Sequence, residues 1–87
     1  MASGTIKKTV QVSSTTITGT TNGLSNLFVS NDSNKIILAA YCTSEANICC
    51  TPNRAGNGAL WLSINERGSM AQRINTEVTV VMYWIQL

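Results

Sequence analysis

The sequence predicts a small all-β domain, an antiparallel β-sandwich or jelly roll. Short apolar segments recur every 8–12 residues with turn-forming residues between them, the spacing of strands in such folds. Ser, Thr and Asn supply 29 of the 87 residues. They compete for backbone hydrogen bonds, which suits short strands and tight turns better than helices. Sustained 3.6-residue periodicity is nowhere evident.

Residues 5–12, TIKKTVQV, set Ile6, Val10 and Val12 against Lys7, Thr9 and Gln11, the alternation of a half-buried strand. TTITGTT (15–21) is a second strand, with Gly19 expected as a bulge. Asn22-Gly23 marks a turn. LFVS (27–30) is a short strand, and NDSN (31–34) a turn rich in Asx-type residues. KIILAAYCT (35–43) is apolar on both faces, as in a central strand. ICCT (48–51) is a strand expected to stop at Pro52, followed by a loop over 52–58. ALWLSIN (59–65) alternates again, and MAQRIN (70–75) reads as a strand or a single helical turn. Residues 1–4 are expected to be a flexible start or a cloning remnant, and 5–87 one domain.

The last strand, Thr76 to Leu87, has no polar face. Val78, Val80, Met82 and Trp84 oppose Val81, Tyr83, Ile85 and Leu87. One row is expected in the core with Leu60, Leu62, Ile64, Ile36 and Leu38. A chain of this length is too small for a second layer. Val81, Tyr83, Ile85 and Leu87 are therefore expected at a subunit interface, because an exposed apolar stripe favours association. The plain alternative is a monomer with the strand in the middle and loops over its outer face.

Composition excludes several functions. Charged residues are 11% of the chain, against about 25% in an average domain. The six cations are scattered, so no nucleic-acid partner is expected. The longest apolar stretch, Val78 to Ile85, is far short of the about 20 residues of a membrane-spanning helix, so no membrane insertion is expected. The start, MASGTIKK, lacks the apolar run of a signal peptide.

Cys42, Cys49 and Cys50 are an odd set. The adjacent pair points to opposite faces of a strand, and no His is present to complete a zinc site. Buried thiols acting as small hydrophobes are expected, with a vicinal disulfide and a soft-metal site as alternatives. No metal and no cofactor are expected. Without His, neither a Ser-His nor a Cys-His nucleophile pair is possible within the chain. Asp32, Glu45, Glu66 and Glu77 each sit alone in or beside a turn. No catalytic residue is expected, and a small enzyme is only a remote alternative.

A Ser/Thr/Asn-rich β-module with a VQVSSTTIT-like strand near its start and a VTVVMYWIQL-like strand at its end resembles the head domain that closes many bacteriophage tail fibres. The resemblance covers residues 5–87 and rests on pattern, with no signature motif. It implies a homotrimeric virion protein, made in the host cytoplasm, whose tip binds a host-surface receptor, a glycan or a protein. The candidate contacts are loop residues with planar or bidentate groups, namely Asn53, Arg54, Asn57, Glu66 and Arg67, with Trp61 as an amphipathic platform. For each, an ordinary solvated loop residue is the plain alternative; Trp61 equally suits an interface. A trimerisation, capping or decoration protein without a ligand is the alternative for the whole chain.

Overall fold

A computed structural model describes residues 10–87. Six strands form in chain order: β1 (Ser13–Thr20), β2 (Asn26–Ser30), β3 (Lys35–Cys42), β4 (Ile48–Arg54), β5 (Leu60–Glu66) and β6 (Glu77–Gln86). Among the described residues there is no helix. The expected residues 1–4 and the first part of the 5–12 strand lie outside the described residues. Residues 10–12 join no strand, and Val10 and Val12 stand exposed.

All ladders are antiparallel, in the order β1-β6-β3-β4-β5-β2. β3, β4 and β5 form a meander, and β6 returns beside β3, which is a Greek key. β1 then flanks β6, and β2 flanks β5. The sheet curls into a nearly closed, sandwich-like barrel, as the all-β expectation required. Its inner face holds Leu27, Ile37, Ile48, Leu60, Leu62, Ile64, Val78, Val80 and Met82. Leu27, on one edge strand, lies against Gly19 on the other. A Cβ at Gly19 would stand 2.8 Å from Leu27 Cδ1. Gly19 is not the expected bulge. The β1–β6 register runs unbroken from Ser13↔Trp84 to Thr20↔Glu77, and Gly19 instead makes room for Leu27.

The turn between the edge strands locks the closure. Asn22 Oδ1 accepts the N–H groups of Leu24 and Asn26 at 2.9 and 3.0 Å. Thr21 and Ser25, both buried, face the β5–β6 crossover. The Ser25 hydroxyl donates to the Ile64 carbonyl and accepts the Arg73 N–H at 2.7 Å. The Thr21 hydroxyl donates to the Arg73 carbonyl and accepts the Thr76 N–H at 3.0 Å. Two buried hydroxyls are thus fully satisfied, avoiding the roughly 1–3 kcal/mol cost of an unpaired buried polar group. Ser25 adopts φ 63°, a left-handed conformation held by these bonds.

Two other departures have local causes. Ile37 pairs with Trp84 and Ala39 with Tyr83, so Leu38 is an extra residue in a β-bulge. The bulge reverses the phase of the strand. Ile37 is core in place of Ile36 and Leu38, and Leu38 is 53% exposed. Pro52 does not end β4, which runs on to Arg54 opposite Leu60. β4 pairs with β3 only at Tyr41↔Cys49, so beyond that point its far side has no ladder to lose, and a proline is tolerated there. The 70–75 segment is neither strand nor helical turn. It makes one isolated bridge, Asn65↔Gln72, with Met70 and Asn75 at positive φ.

The bulge makes adjacent residues unequal. Ile37→Ala should cost about 2–5 kcal/mol through the cavity it leaves, while Leu38→Ala should stay within about 0.5 kcal/mol. Paired urea titrations check this, and similar midpoints for the two variants would count against the bulge.

Candidate functional site

The outer face of β2, β5 and β4 carries two cross-strand rows. Phe28, Trp61 and Asn53 form one, and Asn26, Ser63 and Thr51 the next. The rings of Phe28 and Trp61 meet edge to face, 5.2 Å between centroids at 76°. Asn53 Nδ2 donates to the Ser63 hydroxyl, which donates to Asn26 Oδ1 at 3.1 Å. Among the described residues this relay leaves the Asn53 carbonyl oxygen and the Asn26 amide N–H groups uncommitted.

The 21–25 turn overhangs these rows and makes a cleft of about 320 Å³ lined by Asn22, Leu24, Asn26, Asn53, Arg54 and Trp61. Leu24 is 71% exposed at its rim. Arg54 is fixed from both sides: Nη1 donates to the Gly58 carbonyl at 2.8 Å, and Nη2 to the Lys35 carbonyl. Arg54 also borders a second, smaller cleft of about 170 Å³ in the split between β3 and β4, with Ile37 and Leu60 in its lining.

Three of the six expected contact residues, Asn53, Arg54 and Trp61, meet in the larger cleft. The other three do not line it. Asn57 Oδ1 accepts the Ala59 N–H at 3.0 Å and shapes the β4–β5 hairpin. Arg67 Nε donates to the Ala46 carbonyl at 3.0 Å. Glu66 pairs with Arg73 at 2.7 Å, and Glu45 joins the same guanidinium at 3.0 Å. Two of the four carboxylates that stand alone in the sequence are thus brought together as a tether for the β5–β6 crossover. Their bonds raise the Arg73 guanidinium further above its ordinary value, the Glu66 hydrogen bond most of all. Asp32 accepts the Asn34 N–H and the Gln86 amide, which hold its carboxyl below the ordinary carboxylate value.

Asn22, Leu24 and Asn26 escaped the sequence reading. The Asn-Gly pair signals a turn, and nothing local says that this turn leans over a strand 35 or more residues away.

A second surface lies on the outer face of β1, β6 and β3. Tyr83 and Tyr41 stack there, 6.4 Å between centroids at 26°. Val81 and Ile85 are half-buried on the same face, Tyr83 is 39% exposed, and Leu87 follows beyond the strand end. The neighbours Ser14, Thr16, Thr18, Thr79 and Ala39 on this face are uncharged, and the carboxylate of Glu77 stands at the end of the same row, opposite Thr20. β6 is an interior strand, flanked by β1 and β3, and among the described residues no second layer lies over it.

The three cysteines are free thiols. Cys49 is paired with outward-facing Tyr41 and Asn65, while Cys50 packs against the core. Burial pushes the Cys50 thiol up to about 11, helped by Cys42 and Cys49 nearby. Compared with known proteins, the chain matches no family model, no curated protein and no solved structure.

The raised Cys50 value sets its reactivity. Near pH 8 its thiolate fraction therefore falls well below that of a free cysteine, by a factor on the order of a hundred. Brief maleimide labelling of the native protein at pH 8, mapped by mass spectrometry, should leave Cys50 the least modified of the three. Labelling of Cys50 as fast as Cys49 would contradict its burial.

Proposed function

We propose that this chain is a non-enzymatic recognition module, a trimeric fibre tip on a virion, that takes a host-surface glycan in the Trp61 cleft. The observation that carries this reading is the cleft's composition. A pyranose offers an apolar C–H face and a rim of hydroxyls that both donate and accept. Trp61, packed against Phe28, offers an aromatic surface for the first. The Asn53 carbonyl and the Asn26 amide offer an acceptor and donors for the second. At about 320 Å³ the cleft is near the lower end of small-ligand sites, roughly 300–1,000 Å³. The reading needs no catalytic residue. The chain has no His, and Glu45 and Glu66 are both engaged by Arg73.

The β1–β6–β3 face, uncharged except for Glu77 at the start of β6, favours a second reading, a trimerisation, capping or decoration protein with no ligand. Both readings place Val81, Tyr83 and Ile85 between subunits, where association removes a row of aromatic and aliphatic side chains from water.

Light scattering and a glycan array together separate the readings. The fibre-tip reading expects a mass near three times that of the 9.3 kDa chain. It also expects saccharide binding that Trp61→Ala weakens at least tenfold with the mass unchanged. A trimer that binds no saccharide favours the second reading. A monomer at tens of micromolar removes the interface from both.

A further inference from the structure

We infer that the cleft prefers an acidic saccharide, one bearing a carboxylate beside its pyranose hydroxyls, and that Arg54 sets this preference; the inference rests on the glycan-binding reading above. The first observation is charge. Among the residues lining the cleft, Arg54 alone carries a charge, and no carboxylate stands among them. Among the described residues, the ion pairs of the protein are those of Arg73 with Glu45 and Glu66. Arg54 is therefore held by neutral backbone carbonyls, with its charge uncompensated by a carboxylate in contact.

The second observation is preorganisation. A guanidinium has five N–H donors in a planar fork. Two of the Arg54 nitrogens are anchored, one to Gly58 on its own hairpin and one to Lys35 across the β3–β4 split. An arginine already fixed loses less side-chain entropy when it takes up a ligand than one that swings freely in solvent. The remaining donors suit a carboxylate, which accepts charge-assisted hydrogen bonds roughly twice as strong as neutral ones.

The third is division of labour. Trp61 and the amides of Asn26 and Asn53 recognise features common to all sugars, a C–H face and hydroxyls. Arg54 lies at the β4 end of the same cleft and adds a feature that only acidic sugars satisfy. A neutral sugar makes the first contacts and leaves the Arg54 donors to water. A cationic amino sugar would meet a like charge, which disfavours it.

The test measures binding of the intact protein to matched oligosaccharide pairs, 3′-sialyllactose against lactose and methyl glucuronide against methyl glucoside, at 50 and 500 mM NaCl. The acidic member of at least one pair should bind tenfold or more tightly, with the preference shrinking at high salt as exposed charges are screened. Arg54→Gln should bring the ratio of acidic to neutral affinity close to one, and that ratio, not the neutral affinity itself, is the readout. Arg54→Lys, which keeps the charge and serves as a folded control, should retain part of it. Equal binding of acidic and neutral members overturns this inference and leaves glycan recognition standing, as does a preference that survives in a folded Arg54→Gln. Binding of no saccharide in these pairs or on the array overturns the inference together with the reading beneath it.

Discussion

A curled sheet that does not close by a ladder must hold its two edges together some other way, and this barrel does so with one turn. β1 and β2 are the edge strands, joined by Thr21–Ser25, and their ladders face away from each other. Open edges cost unpaired backbone groups and invite association with other chains. Here Leu27 fits over Gly19, and Thr21 and Ser25 sink their hydroxyls into the crossover at Ile64, Arg73 and Thr76. Arg73 is fixed in turn by Glu45 and Glu66. The 21–25 turn is thereby tied to the end of β5 and to the 67–76 crossover that follows it, at one end of the barrel. The inner face stays dry because this end is shut, and Leu62, Ile64 and Val80 have no measurable exposure.

The same turn gives the molecule its cleft. Because Ser25 is anchored to Ile64, Asn26 lies opposite Ser63 and Asn22 and Leu24 lean toward Trp61. A looser closure would let these residues swing away, leaving Trp61 on an open sheet surface. At the other side of the cleft the split between β3 and β4 has a comparable effect. With no ladder beyond Tyr41↔Cys49, Arg54 reaches across to the Lys35 carbonyl and is fixed there. Both walls of the cleft are thus consequences of how the barrel resolves its incomplete edges.

The strands were legible where contrast between faces was strong. Leu60, Leu62 and Ile64 alternate with Trp61, Ser63 and Asn65, and the structure places the first set in the core. The Asn22-Gly23 turn and the Asx-rich turn at 31–34 form through the side-chain bonds those residues favour. Ile36, Ile37 and Leu38 were not legible, because three apolar residues in a row fit either phase and a bulge between them leaves no mark. Pro52 misled for a different reason: it forbids a ladder bond, not a strand, and the pairing of β4 on its far side is a matter of tertiary arrangement. The site was half legible. Asn53, Arg54 and Trp61 drew notice as planar or aromatic groups near a hairpin. Glu66 and Arg67 drew the same notice and proved to hold the crossover and the β3–β4 loop. Side-chain type alone does not distinguish a group that binds a ligand from one that binds its own backbone.

Native-state hydrogen exchange tests the closure most directly. The N–H groups of Thr21, Ile64, Arg73 and Thr76 donate to Thr76, Ser25 and Thr21 acceptors within the clasp, at 2.7–3.0 Å. If the clasp shuts the barrel, these amides exchange only when the whole domain unfolds, with free energies matching those of Val78, Val80 and Met82 in β6. Exchange of Thr21, Arg73 and Thr76 well ahead of β6, at rates typical of an exposed turn, would show that the barrel stays folded with its seam open, and would contradict the closure on which both the core and the cleft depend.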